Sequence, residues 1–405
     1  MKYPYPFTDT PLKREIAEAS DHGQATGDWN PLLNNLNTAL RDNTLDGPFF
    51  FHGAMRFNRK EAYNWCIVEL DAASRDWLQQ HLVNLGGYKT IQQRYKDFFG
   101  VAPHFPNHLP ARLLAANEDG NAGAPSTLSW FLDQYLPNIE VKNIDYVCGL
   151  EIISCWEARF EAVYNPVKAA WLDKESLDKL TELQAGLPLG ALATLAALVH
   201  EAGHGLGANA CLPQLPNYAR KMPMTWYGAL GELTTEMAGL ALVSDIAPAL
   251  IAFIFAFRLA GNMSRGGVAE QTGRQRLNTD YDCLTSALMF ERFRKAGVLA
   301  RNGAFWRIDF EAIQPAAAQF LQNLERLGQE LTAYADQLKD DLVRPAAFDF
   351  IANDLPVDDE QRWAIPPEQQ SMLAQVAQIP RSPAWSDMLK YYTHQHLLDV
   401  AAWRN

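Results

Sequence analysis

Cysteine is scarce in this chain. Its 405 residues include five, Cys66, Cys148, Cys155, Cys211 and Cys283. The number is odd and no two form a CxxC pair, which argues against a disulfide framework or a cysteine-rich metal knot and points to a reducing compartment. An excess of positive charge is also missing. Lys and Arg total 35 against 47 Asp and Glu, for a formal net charge of −12, so a track for nucleic-acid phosphates is not the main partner surface. The acidity is spread along the chain, as on an ordinary solvated surface. Nor is there a long hydrophobic run. The most apolar stretch, Ile246 to Phe257, is about twelve residues, too short to span a bilayer, and reads as a buried helix. The opening Met1-Lys2-Tyr3-Pro4-Tyr5-Pro6 has no basic-then-apolar signal segment. Together these absences predict a cytoplasmic protein with neither a membrane nor a nucleic acid as partner. Internal repeats and low-complexity tracts are absent too.

What is present is an ordinary globular composition, 48% hydrophobic and 20% charged, enough for two or three domains' worth of core. The two halves differ in pattern. Phe49 to Phe57, Tyr63 to Leu70 and Tyr146 to Cys155 are aromatic and β-branched runs of strand type, whereas Ala73 to Leu85 and Thr90 to Phe99 have helical spacing. Pro103, Pro106 and Pro110, followed by Asn117 to Asn121, predict a long irregular stretch between them. From about Leu189 onward the pattern is helical: Leu189 to Leu206, Tyr227 to Val243, Ala247 to Leu259, Thr279 to Ala296 and Ile313 to Leu338. The expected fold class is α+β. A mixed α/β region, residues 1–185, would form one wall of a cleft, a helical domain, 186–345, would carry the chemistry, and a segment, 346–405, would wrap back over the body.

The chemistry is concentrated at His200-Glu201-Ala202-Gly203-His204, an H-E-x-x-H motif. Ordinary residue frequencies produce it by chance in roughly one chain in a hundred of this length. On an α-helix, residues four apart stack on one face, so His200 and His204 can aim at one ion. Glu201 lies beside that face, within reach of a water there. The bland alternative is a pair of satisfied core histidines. Against it, the preceding run Leu189 to Val199 is apolar on nearly every side, and burying two imidazoles and a carboxylate is costly without a strong partner such as a dication. A catalytic zinc wants three protein ligands and one open position. The next apolar helix offers Glu232 and Glu236, again four apart. One as ligand and the other receiving the free N–H of a ligating histidine would satisfy both carboxylates; the alternative is a solvated acidic edge.

This arrangement resembles the gluzincin metallopeptidases and, among them, the catalytic region of the dipeptidyl-peptidase III family. In that family a ligand glutamate is followed four residues later by a second glutamate, then two residues and Gly-Leu. Glu232 and Glu236-Met237-Ala238-Gly239-Leu240 repeat that spacing. Arg292 to Val298 is similar to a family helix ending in Ala-Gly, and Trp306 to Asp309 with Phe320, Leu321 and Leu324 to the helix that follows. The resemblance spans about residues 190–335. It implies that His200, His204 and Glu232 hold zinc, that Glu236 supports them from behind, and that Glu201 is the catalytic base of a hydrolase acting on peptides. The family's motif has one more residue, H-E-x-x-G-H, and its transition-state histidine would fall near Asp282 here. Candidates for stabilising the oxyanion are therefore Tyr218, Tyr227, Tyr281, His394 and His396. The rival reading uses the same two histidines and carboxylate as the facial triad of a non-haem iron(II) oxygenase, hydroxylating a peptide or small molecule.

Overall fold

A computed structural model describes residues 8–26, 28, 30–42, 45–57, 60–103, 107–116, 127–129, 147–204, 206–207, 222–262, 277–337 and 339–376. The fold is α+β. Helices α1 (Pro11–Thr26) and α2 (Asn30–Asp42) lead into a hairpin of β1 (Phe49–Phe57) and β2 (Lys60–Leu70), in register from Phe49↔Val68 to Phe57↔Lys60. Asp71 ends β2 and caps α3 (Ala72–Leu78) by accepting from the Ser74 N–H at 2.9 Å. A π-helical turn and α4 (Gly87–Phe99) follow, then β3 (Asn107–Ala116), β4 (Thr127–Ser129) and β5 (Val147–Ile152). The sheet order is β1-β2-β3-β5-β4, with β3 and β5 parallel and the other pairs antiparallel.

Two expectations need correcting. Strand β3 occupies the proline-marked stretch read as irregular. Pro110 fits because it lies opposite Asp71, just past the end of β2, and its carbonyl accepts from the Asp71 N–H at 2.9 Å. The ladder does not need the donor that proline lacks. The run read as a strand from Tyr146 to Cys155 stops at Ile152, and Ile153 begins a helix. A short apolar run reads alike in both periods, so spacing alone could not separate them.

The helical body begins with α5 (Ile153–Arg159), which passes through a π-helical stretch into α6 (Asn165–Trp171), and α7 (Lys174–Gln184). Next come α8 (Leu189–His204), α9 (Met224–Leu242) and α10 (Ala249–Ile254), the last continued by a π-helical stretch, Phe255–Asn262. After α11 (Tyr281–Lys295), a small hairpin of β6 (Leu299–Asn302) and β7 (Phe305–Ile308) precedes α12 (Phe310–Asp336), α13 (Val343–Ala352) and α14 (Pro367–Val376). The five helices expected from periodicity after residue 189 all form, with ends shifted by a few residues. Among the described residues, no single helix is long and apolar enough to cross a membrane.

Helix α9 runs through the middle of this body, packed on α8, α11 and α12, while α8 also lies against the sheet at β3 and β5. Leu195, Leu198 and Val199 of α8 and Leu233, Met237 and Leu240 of α9 are almost wholly buried. Each such side chain contributes about 1.5–3 kcal/mol by leaving water, so the pair of helices carrying the polar motif is anchored by apolar packing on the remaining faces. After α13 the chain returns to the start of α9. There Trp363 packs on Trp226 at 5.5 Å between ring centres, and Asn278 clamps its backbone through both amide atoms.

Candidate metal centre

Helix α8 starts directly after Pro188, whose fixed φ suits a first turn, and its Ala/Leu-rich body keeps it regular as far as His204. Tyr95, wholly buried on α4, donates to the Val199 carbonyl at 3.2 Å and pins the backbone immediately before the motif. The two imidazoles then converge, with His204 Nε2 3.0 Å from His200 Nε2. Helix α9, entered through Pro223, brings Glu232 and Glu236 to the same place. Glu232 Oε2 lies 3.3 Å from His200 Nε2, and Glu232 Oε1 lies 3.6 Å from His204 Nε2. Glu236 Oε1 approaches the other side of His200, 3.3 Å from Nδ1, where the Thr235 hydroxyl also sits at 3.0 Å.

The helices come this close because the motif contains Gly203. A Cβ there would lie 2.9 Å from both Cα and Cγ2 of Thr235, inside van der Waals contact. An alanine at 203 would therefore push α9 outward and carry Glu232 away from the histidines.

Beneath the cluster lies a residue the sequence reading did not single out. Arg258, in the π-helical stretch after α10, is 1% exposed. Its Nε donates to Glu236 Oε1 at 2.7 Å, one terminal nitrogen donates to Asp282 Oδ1 at 2.5 Å, and the other donates to Glu232 Oε2. Such π-helical insertions re-aim side chains and recur at functional sites. A usable signal existed: Arg258 directly follows the twelve-residue apolar run, and an arginine inside a buried helix must be paired. Thr235 carries no comparable mark in the sequence, and Asp282 is marked only as the position near which the resembled family's histidine would fall.

The charges shift one another. Burial drives His200 toward the neutral form, but Glu232 and Glu236 outweigh it and hold its pKa up at about 9. His204 moves the opposite way, pushed down by burial and by the neighbouring His200 charge. Glu232 is brought down to about 2, because Arg258 and the two histidines overcome its desolvation. Glu236 is lowered against desolvation chiefly by Arg258. The Arg258 guanidinium, despite complete burial, is held charged by Glu236, Glu232 and Asp282.

These residues fit a metal ion. One ligand atom from each of His200, His204 and Glu232 lies within 4.8 Å of the others. With zinc bonds of about 2.0–2.1 Å, ligand atoms on a tetrahedron stand about 3.3 Å apart; the two Nε2 atoms are 3.0 Å apart, and each has a Glu232 oxygen near it, Oε2 at 3.3 Å from His200 and Oε1 at 3.6 Å from His204. Charge agrees with distance: with His200 neutral, as a ligand must be, three carboxylates around one guanidinium leave a formal −2 that a dication neutralises. His204, 32% exposed, is the open side of the cluster. Glu201 is half-buried and near enough to act electrostatically on both imidazoles.

Of the oxyanion candidates, Tyr281 reaches the neighbourhood. Its ring packs on Gly228, where a Cβ would meet Cγ at 2.7 Å, one turn before Glu232 on the same face of α9. Tyr281 is 46% exposed; partial desolvation and the charges of Asp282 and Glu232 push its hydroxyl upward. Tyr227 lies about 140° around the helix from Glu232 and faces elsewhere. Tyr218, His394 and His396 lie outside the described residues.

The sequence matches no protein-family model and no curated protein. Its fold is similar to the solved structures of DPP III from Caldithrix abyssi, with a TM-score of 0.58 and 13% identity over 92% of this chain and 66% of that one. It is also similar to dipeptidyl-peptidase III from Corallococcus sp. strain EGB, with a TM-score of 0.55 and 16% identity over 96% and 67%. The chain thus spans about two thirds of the length of these structures, and the shared fold extends well beyond residues 190–335.

Proposed function

We propose that this protein is a zinc-dependent hydrolase of the metallopeptidase type, acting on peptides. The observation that carries the reading is the convergence of one ligand atom from each of His200, His204 and Glu232 within 4.8 Å of one another, with Glu201 next to His200 on the same helix. The fold shared with two dipeptidyl-peptidase III structures supports it. The helical region 186–345 is the catalytic domain and the mixed region 1–185 supplies one wall of the substrate cleft; of the segment 346–405, residues 346–376 pack back over the body, and 377–405 lie outside the described residues.

A zinc ion held by His200, His204 and Glu232 supplies Lewis-acid polarisation of a water and of the scissile carbonyl. The rest falls to the chain's own side chains. Glu201 accepts the attacking water's proton and returns it to the leaving amine. Glu236 and Arg258 hold Glu232 and the back of His200 in place. Tyr281, at the start of α11 and packed on Gly228 one turn before Glu232, is the described candidate for donating to the carbonyl oxygen as charge develops there.

The deciding experiment pairs elemental analysis of the purified protein with a peptide-library cleavage assay. One zinc per chain and cleavage are expected. Glu201→Gln preserves volume while removing the base, so it should retain zinc and lose about 10²-fold or more in turnover. Undiminished turnover in Glu201→Gln would remove Glu201 from the mechanism. Activity that needs iron(II) and molecular oxygen, without peptide-bond cleavage, would replace the hydrolase reading with the oxygenase.

A further inference from the structure

We infer that Thr235 is a positioning residue, whose hydroxyl fixes which ring nitrogen of His200 is presented to the metal. The inference rests on the metal-site reading above and deepens it. The Thr235 Oγ1 has two neighbours, the Glu232 backbone carbonyl at 2.8 Å and His200 Nδ1 at 3.0 Å. A hydroxyl has a single hydrogen. The carbonyl can only accept, so that hydrogen goes to Glu232, and Oγ1 can meet Nδ1 only by accepting from it. Nδ1 must therefore carry a hydrogen.

The other group facing Nδ1 leads to the same assignment. Glu236 Oε1, 3.3 Å away, is a carboxylate oxygen already receiving the Arg258 Nε–H. Acceptors face Nδ1 on both sides and hold its hydrogen there, so Nε2 is the ring nitrogen left to give up its proton to an ion. That is the nitrogen 3.0 Å from His204 Nε2 and 3.3 Å from Glu232 Oε2. A histidine whose partner fixes the protonated nitrogen has its ligand nitrogen set before the ion arrives.

The hydroxyl has little freedom to leave this position. Thr235 is 1% exposed, and its Cα and Cγ2 fill the space that a side chain at Gly203 would occupy. The same contact that lets α8 and α9 approach thus locks the Thr235 rotamer. Through the bond to the Glu232 carbonyl, one hydroxyl ties together the backbone of one ligand and the ring of another.

The test compares Thr235→Val, which keeps the shape and removes the hydroxyl, with Thr235→Ser, which keeps the hydroxyl. Zinc affinity of the metal-stripped full chain is read by competition with a chromophoric chelator, and its melting temperature is read alongside. Thr235→Val should bind zinc about 10- to 100-fold more weakly, while Thr235→Ser stays within about threefold of the native protein. Thr235→Ala, lacking the hydroxyl but leaving extra room, should follow the valine variant and serves if valine disturbs folding. Native-like zinc affinity in the hydroxyl-free variants would overturn the assignment, as would a serine variant as weak as valine. A native protein that binds no zinc would instead overturn the metal-site reading itself.

Discussion

Replacing Arg258 with methionine is expected to destabilise the metal-free protein by about 3–5 kcal/mol, the scale for removing one partner from a buried ionic cluster. Methionine fills much of the same volume, so the loss comes from charge and not from a cavity. Glu236, 5% exposed, and Glu232, 13% exposed, would lose their cation in a place water barely reaches, and Asp282 would lose the same partner. The deficit should depend on pH in a defined direction. Glu232 has a folded-state pKa of about 2, below its ordinary 4.5, and Glu236 is lowered in the same sense. A depressed carboxylate contributes stability that is fully present above its unfolded value and is lost as pH falls through the folded one. The gap between native protein and Arg258→Met should therefore be widest above about pH 5 and narrow toward pH 2. Urea denaturation in the presence of chelator, repeated across that range, measures it. A pH-independent gap would mean that arginine contributes through packing, not charge.

The second large effect concerns the metal itself. His200→Ala and His204→Ala should each abolish stoichiometric zinc in dialysed protein measured by elemental analysis, and Glu232→Ala should weaken it severely. Glu232→Ala leaves Arg258 paired with Glu236 and Asp282, so its loss of metal can be read without loss of fold. If Glu236→Ala loses the ion while Glu232→Ala keeps it, the roles of the two carboxylates are exchanged. Proton competition adds a pH signature. Without metal, the neighbouring glutamates keep His200 protonated up to about 9. Zinc must displace that proton, and apparent affinity should rise with pH, by about tenfold per unit for one proton released, levelling near 9.

Much of this was legible in one dimension because it depends on local periodicity. Four-residue spacing on apolar helices placed His200 with His204 and Glu232 with Glu236 on shared faces, since the α-helix repeats every 3.6 residues whatever surrounds it. Strand-type runs located β1 and β2 for the same kind of reason. Where the local signal conflicts or is silent, the sequence misled. Prolines hid β3, which is tolerated because Pro110 lies just beyond the end of its neighbour. An apolar run that suits both periods hid the switch from β5 to helix at Ile153.

The ionic arrangement around the histidines could not be read from spacing at all. Arg258 is 22 residues from Glu236 along the chain, 24 from Asp282 and 26 from Glu232, and no periodicity joins residues on separate helices. Only the packing of α9 and the π-helical stretch that carries Arg258 on α11 decides that one guanidinium serves all three carboxylates. It also decides that a threonine hydroxyl, and not Glu236 alone, stands behind His200. The sequence by itself determined which residues could bind a metal, because that follows from side-chain chemistry and helical repeat. Tertiary structure decided how they are oriented and charged, because hydrogen-bond direction and desolvation depend on what the fold brings within about 3 Å.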